Sequence, residues 1–160
     1  MPVALHNVCP KKVIVILLLL LISFWAGISN ATTAYVISHS HKGNQSYTGS
    51  LGMDFDVVSP ITITDLGAFD DKSNGIKRTI TVRVFDRTNT ATPLAELVFS
   101  KHSPGTLEGG SRIKPLTTPL SLAAGFQGSI VAVGYGAKEK NHDGSHAAMT
   151  TDSGGGIIKI

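Results

Sequence analysis

Apolar and polar residues alternate with a period of two over much of this chain, and no helical period persists for three turns between residues 35 and 160. Met53, Phe55 and Val57 alternate with Asp54, Asp56 and Val58, the pattern of a half-buried strand. Ser59-Pro60 punctuates the chain. Ile61, Ile63 and Asp65 then face one way, Thr62, Thr64 and Leu66 the other, and Leu66-Gly67-Ala68-Phe69 continues extended. Asp70 to Gly75 has the composition of a loop. The segment RTITVRVFDR, residues 78–87, is the clearest strand, with Ile80, Val82 and Val84 on one face and Thr79, Thr81, Arg83 and Phe85 on the other. Further strands are predicted at Leu94–Ser100, Arg112–Leu116, Ser129–Tyr135 and Ile157–Ile160, with an edge strand at Tyr35–Ser38. Thr88–Pro93, Pro104-Gly105, Gly109-Gly110 and Ala123–Phe126 read as turns, and Ala137–Ser153 as a long mobile polar loop. Six to eight short strands separated by turns specify an all-β domain, either a sandwich or a barrel.

The amino terminus follows a different rule. Lys11 and Lys12 precede an uncharged apolar run, Val13 to Ile28, and small residues follow from Ser29 to Ala34. A basic step, an apolar run and a small-residue cleavage site are the order of a secretory signal peptide. Cleavage after Ala31 and after Ala34 both fit. An uncleaved anchor is the alternative, although the run is short of the roughly 20 residues of a spanning helix. The positive step would then hold the amino terminus in the cytoplasm and place the domain outside. The predicted organisation is a signal peptide or anchor at 1–34, a polar entry segment at 35–52 and a β-sandwich domain at 53–160. Gly154-Gly155-Gly156 and a short apolar end leave the last strand either closing the sandwich or belonging to a longer chain.

Removing the leader changes the charge argument. The whole chain has 14 basic and 11 acidic residues. Two of the basic ones leave with residues 1–34, so the exported domain is nearly neutral. Its charges are scattered, and no Lys/Arg cluster is placed to follow a phosphate backbone, which argues against nucleic acid as a partner. The single cysteine, Cys9, also lies in the leader, so the exported part has no thiol or disulfide chemistry.

Candidate chemistry is sparse. Asp70, Asp71 and Asn74 could offer oxygens to a calcium-like ion, but no acidic residue stands at the twelfth position and Lys72 lies inside the group. The plainer reading is a solvated turn whose Asp and Asn cap their own backbone. Asp54 and Asp56 share a strand face. Paired carboxylates serve glycoside hydrolysis, but on a surface strand they are usually its wet side. His39, His41, His142 and His146 could ligate a transition metal only if two distant loops met; otherwise they are exposed polar loops. No G-x-S-x-G elbow is present. Asn44-Gln45-Ser46 is a glycosylation sequon, of consequence only in a eukaryotic host.

Three pieces, LGMDFDVVSPITITDLGAFD (51–70), TITVRVFDR (79–87) and PLSLAAGFQGSIVAVGYG (119–136), resemble jelly-roll-type β-sandwich modules of secreted and surface proteins. The resemblance covers about half the chain. It implies an antiparallel sandwich with the shape of a carbohydrate-binding module and supplies no catalytic residues. The expected function is a non-catalytic extracellular binding or adhesion module, with a glycan or another cell-surface molecule as partner. Tyr47 and Tyr135 are the candidate ligand-stacking residues, because the phenylalanines fall in strand patterns that read as core. A spacer module within a larger surface protein is the alternative, and a secreted hydrolase the third reading. No cofactor is expected beyond the calcium-like candidate.

Overall fold

The computed structural model describes residues 32–142, 149–151 and 153–160. The leader and the export expectation that rests on it lie largely outside them, as do Asp143 and His146. Among the described residues no helix is long and apolar enough to cross a membrane.

The strands are β1 (Tyr35–Ile37), β2 (Leu51–Val57), β3 (Ile61–Phe69), β4 (Ile80–Asp86), β5 (Ala95–Phe99), β6 (Thr106–Glu108), β7 (Ser111–Leu122), β8 (Gln127–Val133), β9 (Met149–Thr151) and β10 (Ile158–Lys159). They form a five-stranded sheet in the order β10-β2-β8-β4-β5, a three-stranded sheet β3-β7-β6 and a two-stranded ribbon β1-β9, with every pairing antiparallel. Among the described residues the helical pieces are a 3₁₀ turn at Asp71–Ser73 and one four-residue helix, Ser153–Gly156.

The strongest sequence pattern makes the centre of the larger sheet. Ile80, Val82 and Val84 of β4 are almost completely buried, together with Phe99 of β5. Phe55 and Val57 of β2 join the same core, as do Leu66, Ala68 and Phe69 of β3 and Leu122 of β7. One apolar cluster therefore draws on both main sheets. Full burial of a side chain such as Val, Ile or Phe is worth about 1.5–3 kcal/mol.

The smaller sheet departs from simple alternation. The register of β3 on β7 shifts between Ile63 and Asp65: Ile63 faces Leu120, whereas Asp65 faces Pro115. The irregularity reverses the phase of β3. Leu66 and Ala68 are buried and Asp65 is exposed, whereas unbroken alternation placed Asp65 with Ile61 and Ile63. Such a reversal is what a bulge does. Pro115 lacks an N–H, and prolines within sheets are confined to bulges and edges. The segment expected as a short strand at 112–116 accordingly runs on as one irregular strand to Leu122. Its partner β6 lies in a segment that read as loop.

Candidate functional site

Four chain segments meet at one cluster of buried polar groups: the stretch after β1, the β3–β4 connection, the β6–β7 turn and the stretch after β8. Asp70 is completely buried. Its carboxylate accepts hydrogen bonds from the Asn74 amide at 3.0 Å, the Gly75 amide at 2.9 Å and Arg112 Nε at 2.7 Å. Asp71 is 5% exposed, and its Oδ1 accepts from the Gly43 amide at 2.8 Å. Glu139 is completely buried, and its two oxygens accept from the Asp71 and Lys77 amides, each at 2.8 Å. The Gly110 carbonyl accepts from the Asp70 amide, while the Gly110 amide donates to the Ile37 carbonyl. Backbone amides that would otherwise be costly to bury are satisfied in this way.

These contacts correct the expectation of a solvated turn. Asp70 does cap its own backbone, through Asn74 and Gly75, but inside the protein. The Asn74 side chain is exposed. The Asp70 oxygens are engaged by Arg112 and two amides, so Asp70, Asp71 and Asn74 do not form an open calcium-type cradle. Among the described residues, no group of three or more His, Cys, Asp or Glu side chains is placed to hold a metal ion. The loop expected from Ala137 is also corrected in its first part. Gly136 and Glu139 bridge each other, Asn141 bridges Gln45, and Glu139 enters the buried cluster.

Tyr135 is a second correction. It is 3% exposed, and its hydroxyl donates to the Phe69 carbonyl at 3.1 Å, so it belongs to the core and presents no ligand surface. Burial pushes its phenol well above the ordinary tyrosine value. Tyr47 is 51% exposed, with its ring against Gly49 and its carbonyl accepting from Asn141 Nδ2 at 3.1 Å. Asn44 is exposed in side chain, with its backbone amide donating to the Asn141 carbonyl.

Burial raises the Glu139 carboxyl above the ordinary glutamate value. Hydrogen bonds from the Lys77 and Asp71 amides oppose the rise, and the nearby Asp70 charge adds to it. A raised carboxyl binds its proton more tightly in the folded chain than in the unfolded one. Its contribution to stability is therefore fully present below the ordinary value of 4.5 and is lost as pH rises through the folded value. Glu139→Gln removes this titration. The stability of the wild type minus that of E139Q is expected to fall as pH rises through that window, in urea unfolding at a series of pH values. A difference that grew with pH would contradict the assignment.

The larger sheet carries a different group on its outer face. Asp54 of β2 stands opposite Ser129 of β8, and Ser129 opposite Phe85 of β4, so the three form one row across three strands. Lys159 of β10, Asp56 of β2 and Gln127 of β8 form the neighbouring row. The Ser129 hydroxyl donates to Asp54, and Arg87, just past β4, bridges Asp54 and Asp56. A shallow cleft of about 210 Å³ lies beside them, lined by Asp54, Phe55, Asp56, Arg87, Lys159 and Ile160. Asp54 and Asp56 do share a face, as alternation requires. They are joined through a guanidinium rather than set across an open gap. Phe85 is only partly buried and stands on the face opposite Ile80, Val82 and Val84. Its outward phase was legible in RTITVRVFDR, but the general tendency of phenylalanine to be core hid it.

No protein-family model and no curated protein sequence matches this chain.

Proposed function

We propose that this protein is an exported, non-catalytic binding module with a jelly-roll-like sandwich architecture, and that its ligand is a carbohydrate held on the outer face of the five-stranded sheet. The observation that carries this reading is the cross-strand row Asp54–Ser129–Phe85 beside the Arg87 bridge and the adjoining cleft. An aromatic ring offers an apolar platform to a sugar face, and charged and hydroxyl groups beside it fix orientation. A row within a sheet is positioned by its ladder, which suits a preformed site better than a loop does. The buried carboxylates of the loop cluster support the non-catalytic part of the reading, because their described partners are backbone amides and Arg112. The basic and apolar leader supports export, as a cleaved signal or as an anchor.

The test is retention of the purified protein on insoluble cellulose, xylan and chitin and on a glycan array. Binding to at least one glycan is expected, weakened about tenfold or more by Phe85→Ala, a change worth at least about 1.4 kcal/mol. Arg87→Ala is expected to act in the same direction. Absence of binding to every glycan would favour the spacer reading. Release of soluble sugar would replace both with a hydrolase.

A further inference from the structure

Two loops far apart in sequence meet at a pair of imidazoles. The ring centroids of His41 and His142 lie 4.3 Å apart, with the planes inclined at 70°. Phe69 flanks both, at 6.3 Å from each ring. The segments that carry the two histidines are locked together by backbone: the Asn44 and Gln45 amides both donate to the Asn141 carbonyl, and the Asn141 amide donates to the Gln45 carbonyl. The approach of the two segments is thus held by backbone hydrogen bonds.

Polar side-chain atoms without a hydrogen-bond partner concentrate on the same two segments. His41 Nε2, Gln45 Oε1 and Asn141 Oδ1 are shielded from solvent and meet no hydrogen-bond partner among the described residues. A buried polar atom without a protein partner is one that a bound ion or water can satisfy. The backbone around His41 is also held in conformations that non-glycine residues seldom adopt. Ser40, Lys72 and Ser73 have φ of 60°, 67° and 55°. Ser73 Oγ accepts from the Ser40 amide at 2.9 Å, and the His41 carbonyl accepts from the Lys72 amide at 2.8 Å. Strained residues of this kind gather at ligand clamps more often than elsewhere.

We propose that His41 and His142 form a two-imidazole site for a divalent late transition-metal ion, zinc, copper or nickel, with water completing the shell. Imidazole is the nitrogen ligand these ions prefer. With metal–nitrogen bonds of about 2.0–2.1 Å, two imidazoles on one ion bring their ring centres to roughly 4.5 Å apart at the right angle of square-planar or octahedral copper(II) or nickel(II), and to roughly 5.2 Å at the tetrahedral angle of zinc, so the observed 4.3 Å lies nearer the former. The site is independent of the sheet face to which the carbohydrate reading belongs.

The experiment is titration of the purified full chain with zinc, nickel or copper(II) chloride, read by calorimetry and by the thermal unfolding midpoint. Saturable binding of one equivalent and a raised Tm are expected, since an ion that binds only the folded state stabilises it. Loss of an outer-shell partner already weakens metal sites about 10–100-fold, so His41→Ala and His142→Ala should each weaken binding by at least that lower bound. His39→Ala, on an exposed neighbour, should not. His41→Gln and His142→Gln, with circular dichroism to show that the fold persists, stand in should an alanine variant unfold. Failure of the wild type to bind any of the three ions overturns the proposal and leaves plain edge-to-face ring packing. Binding that survives substitution of both histidines belongs to another donor set and overturns it equally.

Discussion

Asp70→Ala is expected to destabilise the folded domain by about 3–5 kcal/mol, the range for removing one partner of a buried ion pair. The loss has two parts. Arg112, whose side chain is 17% exposed, would keep its charge without the carboxylate that lies 2.7 Å away. The Asn74 and Gly75 amides would also lose their acceptor. A small domain is stable by only about 5–15 kcal/mol, so a large part of the total is at stake. Urea unfolding would show the midpoint fall with little change in slope. Asp70→Asn keeps the shape and one acceptor oxygen and should cost less. A change below about 1 kcal/mol in D70A would mean that solvent or other groups replace the carboxylate.

Gly134→Ala should be nearly as damaging, at about 2–5 kcal/mol, from left-handed backbone strain of about 1–2 kcal/mol and overpacking of about 1–3 kcal/mol. Gly134 follows β8 with φ of 109° and has its missing side chain aimed at the backbone of Thr79. A Cβ there would overlap the Thr79 carbonyl oxygen, which is held in backbone and cannot swing aside. The Gly134 carbonyl also accepts from Arg78 Nε at 2.7 Å, so a shift would disturb that contact as well. Gly125→Ala is the control. Gly125 has φ of 83° but open space around it, so only the dihedral part of the cost should remain, about 1–2 kcal/mol. Equal losses in the two variants, measured by thermal unfolding, would refute the steric account.

The strands with the cleanest alternation were readable because one face of each is buried and period two then leaves no choice of face. Residues 53–57 and 80–84 are of this kind, and both lie in the core sheet as alternation requires. Where the ladder is irregular the reading failed. Nothing local marks the shift that turns Leu66 inward and Asp65 outward, because that shift depends on the Pro-containing partner strand across from it. The carboxylates failed for a related reason. Asp70 and Asp71 look like a wet turn until Arg112 and Gly43 arrive from 42 and 28 residues away. Glu139 has no periodic context at all, and only the arrival of the Asp71 and Lys77 amides makes its burial tolerable.

By itself, then, the sequence determined the all-β class, the identity of the central strands and the outward phase of Phe85, because side-chain alternation along a strand is a local property. It also carried the basic and apolar order of the leader, from which export is inferred. Only the tertiary structure decided that Tyr135 is core, that three acidic side chains tie loops together from within, and that His41 meets His142. Each of these depends on contacts between residues distant in the chain, and the burial of a polar group is permitted only by the partner that satisfies it.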